Sequence, residues 1–249
     1  MSGALASDLV RQIVPTGVLR ACINFGNTVL AARGPTGAPQ GVSFDIAVAL
    51  AAHLGVPLET VTVETAGDSV AAIAAGQVDL GFFALDPQRA TQLRFGPAYV
   101  LIEGAYVVRQ YSPVTAMEQV DRAGLRVQVA RGTAYDLHLT RALKAATIVR
   151  SATSQAVVDD FLSTDGDVAA GVRQQLLADM ARLPGLRLLP GSFMTIRQAV
   201  GIPIDRSDAA LAKVHRFVEA CKADGFVDRA LARHGVDGAT VAPAVAPEP

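Results

Sequence analysis

The segment ALDPQRATQLRFGPAYV, Ala84 to Val100, places an arginine three residues after an aspartate, just past the apolar run LGFFAL. Arg89 is either a solvated surface charge or an anchor for an anion. The chemistry open to it is specific: a guanidinium grips a carboxylate through two parallel N–H bonds, a geometry that lysine lacks. Asp86 and Pro87 read as the cap and first-turn residue of a helix. That would put Arg89 near the positive end of the helix dipole, an unfavourable place for a cation unless something negative is bound there. Arg131 and Arg173 carry the same ambiguity. Asp45 reads as a helix cap or dipole contact, and Asp79 and Asp167 as structural turn residues. Tyr99, Tyr106 and Tyr135 either wall an amphiphilic ligand or belong to the core.

The elements that must position these residues alternate. Leu19 to Ile23 is a short apolar strand, and 25–40, rich in Gly and Pro, is a loop or hairpin. SFDIAVALAAHL repeats apolar positions at helical spacing and stops at Gly55. A strand over 57–63, a helix over 68–75 and a strand over 78–85 follow. The pattern restarts with a strand at 104–109, a short helix at 115–120, a strand at 125–130 and a helix from Tyr135 to Leu143. A strand near 148–151, a helix near 155–162 and a strand at 168–171 complete it. Strand, helix, strand in two runs is the signature of α/β layers with mostly parallel sheets, whose ligands lie beyond the carboxyl ends of the strands. A strand near 199–203, a helix at 209–223 with Leu211, Val214, Phe217, Val218 and Cys221 on one stripe, and a shorter helix to His234 return the chain.

Composition narrows the function. A chain of 249 residues suits one large domain or two small ones. Lys and Arg number 22 against 23 Asp and Glu, with no basic block, which disfavours nucleic acid as a partner. Cys22 and Cys221 read as buried thiols, and His53, His138, His215 and His234 have no ligand spacing, so no metal is expected. No phosphate loop or nucleophile elbow is present, and no cofactor is expected. The N-terminal stretch lacks the charged-then-apolar pattern of a secretory signal, which leaves both periplasm and cytoplasm open.

The pieces LRACI, GVSFDIAVALAAHLG, AGQVDLGFFALDPQRATQLRFGPAY, VQVARGTAYD, GDVAA and DGFVDRAL lie in order between Gly17 and His234. Together they resemble the bacterial extracellular solute-binding proteins of family 3, the amino-acid-binding components of ABC transporters. The resemblance implies an α/β fold of the two-lobed periplasmic binding protein type 2 kind, each lobe a mostly parallel sheet flanked by helices, with two crossover hinge strands. Lobe 1 would comprise 1–104 and 196–237, lobe 2 residues 105–195, and 238–249 a disordered tail. It implies a non-enzymatic, monomeric receptor that clamps a small carboxylate between its lobes and delivers it to a membrane permease from the periplasm. The alternatives are a lyase of the cyclohexadienyl-dehydratase type, with Glu103, Asp68 or Asp136 as general acid, and a cytoplasmic small-acid sensor.

In that family the arginine of a Thr-x-x-Arg turn takes the ligand's α-carboxylate. This role falls on Arg89, with Asp86 in place of the threonine and backbone amides near Ala84 and Asp86 assisting. The second-lobe loop falls on Arg131, Gly132, Thr133 and Ala134, and the first loop on Asn24, Phe25 and Asn27. One departure stands out: the acid that usually holds the ligand's ammonium falls on Val172, beside Arg173. A buried ammonium would lose its partner. The ligand is then an unaminated organic acid or a modified amino acid, with Asn24 offering a neutral bond and Arg173 reading a second anionic group.

Overall fold

The structure, a computed structural model, describes residues 2–164 and 166–245, with side chains from Asp8 onward. Its strands are β1 (Leu19–Asn24), β2 (Ala32–Arg33), β3 (Pro39–Gln40), β4 (Leu58–Val63), β5 (Leu80–Ala84), β6 (Leu93–Arg109), β7 (Arg126–Ala130), β8 (Thr147–Ser151), β9 (Val168–Val172), β10 (Leu186–Leu188), β11 (Met194–Pro203) and β12 (Thr240–Val241). Its helices are α1 (Ser2–Ile13), α2 (Val42–Leu54), α3 (Ala66–Ala74), α4 (Ala134–Ala142), α5 (Val157–Ser163), α6 (Arg173–Arg182), α7 (Asp208–Ala223) and α8 (Phe226–Arg233). The chain divides into two compact units, Met1–Leu101 with Arg197–Pro249, and Ile102–Ile196. The boundaries fall inside β6 and inside β11.

In the first unit β1 lies between β4 and β5, all parallel, and β11 adds antiparallel to β5 with Gln198 opposite Ala84. Alternation along β5 sends Phe83 to one face, where it packs with Cys22, Ala72, Ile73 and Leu93 under α3. The other face is covered by α2, α7 and α8, whose Ile46, Leu50, Val214, Val218 and Val227 are all buried. Of the two roles expected for Asp45, the structure gives no side-chain cap, but places its carboxylate in the first turn of α2, at the positive end of the helix dipole. Its Oδ2 accepts from His234 Nε2 at 2.9 Å and Arg233 at 3.1 Å, fastening the end of α8 to α2.

The second unit repeats the frame: β7 lies parallel between β8 and β9, and β6 adds antiparallel to β9. One device recurs in both. Asp79, wholly buried, precedes β5 and accepts from Arg20 N at 3.0 Å, Nε at 3.1 Å and Nη2 at 2.7 Å, tying β5 to β1. Asp167 precedes β9 and accepts from Arg126 N at 2.8 Å, tying β9 to β7. Each aspartate serves structure by holding two parallel strands in register.

Several sequence-based expectations change. Asp86-Pro87 opens no α-helix; the segment makes a three-residue 3-10 turn, Arg89–Thr91, and a second such turn, Met117–Gln119, replaces the short helix at 115–120. The strand expected at 104–109 is the end of a longer one, because β6 runs unbroken for 17 residues from Leu93. The tail expected to be disordered from 238 is ordered in part. Thr240–Val241 pairs with Leu101 and Val100 of β6, Ala242 N donates to Tyr99 O at 3.0 Å, and Lys222 Nζ donates to Pro243 O at 2.9 Å. The edge of β6 offered a ladder that composition could not reveal; residues 246–249 lie outside the described residues.

Candidate ligand-binding site

In the first unit β5 delivers the chain to a tight turn. Leu85 N donates to Arg197 O of β11 at 2.8 Å, and the Asp86 carboxylate accepts from Gln88 N at 2.8 Å. This local side-chain turn reverses the chain, so that Arg89 folds back over the strand it follows and donates from Nη1 to Ala84 O at 3.1 Å. Arg89 is only 5% exposed. Burial pulls its guanidinium down from the ordinary range to about 10, with the nearby charge of Asp86 opposing. A cation held at that cost is stabilised by an incoming anion. The helix-dipole argument for Arg89 falls away, since a 3-10 turn of three residues carries little dipole. Burial replaces it.

Beside this turn lies the loop that leaves β1, the parallel neighbour of β5. Asn24 Oδ1 accepts from Gly26 N at 2.8 Å, which commits that oxygen to the loop itself. Gly26 is obligatory there, because a Cβ would sit 2.3 Å from Glu64 O. Phe25 is buried, its N donates to Val63 O at 2.9 Å, and Arg33 lies 4.2 Å above its ring. Asn27 Oδ1 is buried with no hydrogen-bond partner among the described residues.

In the second unit the loop after β7 is largely self-satisfied. Arg131 is exposed. Gly132 takes φ 70°, a conformation suited to glycine, and its N donates to Asp136 Oδ2 at 2.8 Å. Thr133 caps α4, accepting from Asp136 N at 3.2 Å and donating to Ala130 O at 2.8 Å. Ala134 is buried. Asp136 also receives Arg150 Nε at 3.0 Å. At the end of the adjacent β9, Val172 is the N-cap position of α6, with no acid present. Arg173 donates to Glu103 Oε2 and to Gly191 O, both at 2.6 Å, so its charge is already matched within the unit.

Each unit therefore gathers its expected residues at the carboxyl ends of adjacent parallel strands: Asn24, Phe25 and Asn27 with Ala84, Asp86 and Arg89 in the first, Arg131 to Ala134 with Val172 and Arg173 in the second. The tyrosines resolve toward structural packing: Tyr99 is wholly buried with its hydroxyl 3.2 Å from Ser43 Oγ, Tyr106 stacks on Phe193 at 4.4 Å, and Tyr135 donates to Ser154 Oγ at 3.4 Å. Two features escaped sequence reasoning. One is the Arg173–Glu103 pair, which joins residues 70 positions apart. The other is Gln198, a buried amide within the apolar strand β11, whose only signal in sequence is a polar residue ahead of AVGI.

Two α/β units joined through β6 and β11, with polar loops at the carboxyl ends of their parallel strands, define the two-lobed periplasmic binding protein type 2 fold. Residues 26–236 match the model of the bacterial extracellular solute-binding proteins, family 3, and the chain belongs to that family. Among solved structures, the solute receptor for L-cysteine of Neisseria gonorrhoeae is 24% identical, with a TM-score of 0.78 over 92% of this chain and 94% of that one. The P235GK mutant of the T. maritima protein ArgBP is 18% identical, with a TM-score of 0.77 over 92% of this chain and all (100%) of that one. The ancestral amino-acid-binding protein AncCDT-1, described as a precursor of cyclohexadienyl dehydratase, is 20% identical, with a TM-score of 0.74 over 90% of this chain and 98% of that one. No curated protein matches the sequence. No helix among the described residues is long and apolar enough to cross a membrane.

Proposed function

We propose that the protein is the solute receptor of an ABC-type uptake system, working outside the cytoplasmic membrane, and that it captures a small carboxylate such as an amino acid or organic acid. The observation that carries this reading is the burial of Arg89 at the end of β5. A two-point bond from its guanidinium to the ligand carboxylate gives the site its charge selectivity. The first-unit loop at Asn24, Phe25 and Asn27 shapes the ligand's remainder, and the second-unit loop at Arg131 to Ala134, with Val172 and Arg173, completes the clamp on closure. Such closure is a shift of population set by how much better the ligand binds the closed form. A permease that recognises the closed form then receives the ligand.

The dehydratase reading requires a general acid at the leaving group. The three candidate acids are otherwise engaged: Glu103 with Arg173, Asp136 with Arg150, and Asp68 with the Thr65 hydroxyl at 2.7 Å. Binding is therefore the better supported function. Native mass spectrometry of gently purified protein, followed by calorimetric titration with the acid that co-purifies, tests it. A stoichiometric small carboxylate recovered unchanged is the expected result; its conversion on incubation would overturn the receptor reading.

A further inference from the structure

The two units put one local motif to different uses. Thr65-x-x-Asp68 opens α3 and Thr133-x-x-Asp136 opens α4, and in each the aspartate N donates to the threonine hydroxyl oxygen, at 3.1 and 3.2 Å. In the first unit the pairing stays local: Asp68 is exposed and its Oδ2 accepts from the Thr65 hydroxyl at 2.7 Å. In the second unit Asp136 is only 4% exposed, and its carboxylate goes to other partners. Oδ2 accepts from Gly132 N at 2.8 Å, and the Thr133 hydroxyl donates instead to Ala130 O at 2.8 Å. Arg150, on the neighbouring strand β8, donates from Nε to Asp136 Oδ1 at 3.0 Å and Oδ2 at 3.2 Å. Its Nη2 donates to the Thr140 hydroxyl oxygen at 2.8 Å, and that hydroxyl donates in turn to Asp136 Oδ1 at 3.2 Å. The loop is tied to β8 at its start as well, where Arg131 N donates to Ser151 O at 3.0 Å.

Capping alone does not require these added contacts, since Asp68 stands at the same position of α3 without them. A buried carboxylate is costly unless it is paired and hydrogen-bonded; Arg150 supplies the charge, and Gly132 N and Thr140 supply bonds. The arrangement yields a loop whose backbone is set before any ligand arrives. Gly132, at φ 70°, is held through its amide by Asp136, and Thr133 N returns to Ala130 O at 3.3 Å. A loop already in its bound form loses less entropy on binding, which raises affinity without a new contact. We propose that Asp136 is a positioning residue for the second-unit loop, Gly132 to Ala134, and that Arg150 sets ligand affinity from the strand beside that loop by holding Asp136. The proposal rests on the receptor reading above, in which this loop completes the clamp.

The test compares Arg150→Met with Asp121→Asn, a control that breaks a tie of the same kind elsewhere in the second unit. There the Asp121 carboxylate accepts from the backbone N–H groups of Lys144, Ala145 and Ala146 at distances between 2.7 and 3.0 Å. Calorimetric titration with the twenty common L-amino acids, L-lactate and L-malate finds the acid that wild type binds most tightly, and hydrogen exchange followed by NMR reads the Gly132 amide. Arg150→Met should bind that acid about ten-fold more weakly. Its Gly132 amide should exchange about ten-fold faster or more in the free protein and be slowed again by saturating acid. Asp121→Asn should lower Tm yet leave affinity and Gly132 exchange within about two-fold of wild type, since the two ties share no partner. Affinity within about two-fold of wild type in Arg150→Met overturns the proposal. A Gly132 amide that exchanges as fast in wild type as in Arg150→Met overturns it too. So does an equal loss of affinity in Asp121→Asn, which would assign the effect to a general loosening of the unit. If Arg150→Met does not fold, Thr140→Val takes its place, because it removes only the hydroxyl that joins Arg150 to Asp136. The loss expected there is about three-fold, and unchanged affinity overturns the proposal. Wild type that binds nothing in the panel refutes the receptor reading itself, whatever the Gly132 amide does, and the role of Asp136 in binding falls with it.

Discussion

Replacing Arg89 by methionine separates cost to the fold from use to the ligand. The guanidinium is 5% exposed, and burial brings it down to about 10. Each tenfold change in proton affinity corresponds to about 1.4 kcal/mol, so the buried charge costs the free protein about 3 kcal/mol. Against this stand the attraction of Asp86, which the value of about 10 already includes, and the bond to Ala84 O at 3.1 Å, which contributes about 1–2 kcal/mol. Arg89→Met should therefore stabilise the unliganded protein by about 1–2 kcal/mol, which for a chain of this size raises Tm by roughly 2–8 °C. The sign fixes a pH dependence. Because the folded state holds this proton less tightly than the unfolded state does, the penalty at Arg89 is fully present below pH 10 and fades as pH rises through that value, so the gap to the variant narrows there. Ligand binding moves the other way: losing a two-point charged contact costs about 3–5 kcal/mol, or roughly 10²–10³-fold or more in affinity. Differential scanning calorimetry with and without the co-purifying acid reads both effects. A variant that is less stable than wild type when free, yet stabilised equally by ligand, would refute the reasoning and return Arg89 to a structural role.

Two further outcomes follow from the frame. Asp79→Asn removes the buried partner of Arg20 and should destabilise the protein by about 2–4 kcal/mol, lowering Tm by roughly 4–16 °C in a thermal melt; a change within 1 °C would show that the tie between β5 and β1 is dispensable. Burial pushes the Cys22 thiol up and the Cys221 thiol up to about 11, leaving the latter about 0.1% ionised at pH 8. Neither should react quickly with a disulfide reagent in the native state and both should react in denaturant, so a fast native thiol would contradict their burial.

The parts of the fold legible in sequence are those where one local signal decides the outcome. The apolar run LRACI gave β1, and helical spacing closed by Gly55 gave α2. Where two signals competed, the weaker was missed. Gly96 and Pro97, residues of low strand propensity, sit inside β6, because β6 is held from its partners rather than by its own propensity. Helix α6, RQQLLADMAR, buries only Leu176 and Asp179, too little for periodicity to register. Asp86 capped a turn instead of a helix because its carboxylate bonds to the amide two residues on, a choice that sequence leaves open. At the site, Arg89 announced itself by residue type. Gln198 in β11 carried no comparable signal: only its register with Ala84 and its buried oxygen distinguish it from any polar residue in a strand.

The repeated frame also locates the asymmetry on which function rests. Asp79 and Asp167 perform the same tie in the two units, and each unit sets an arginine shortly after the third strand of its parallel block, Arg89 after β5 and Arg173 after β9. A duplicated frame alone would give two equivalent anion sites. Their surroundings differ: Arg173 is a quarter exposed at its side chain (25%) and bonded to Glu103, whereas Arg89 is buried, with the charge of Asp86 opposing a larger desolvation cost. An anion gains little by displacing Glu103 from a wetted pair, since exposed pairs are worth about 0–1 kcal/mol and the anion would only exchange one for another. At Arg89 the same anion relieves a penalty of about 3 kcal/mol as well as forming its own bonds. On the proposed reading, the buried arginine of the first unit is therefore the one that gains more from a carboxylate.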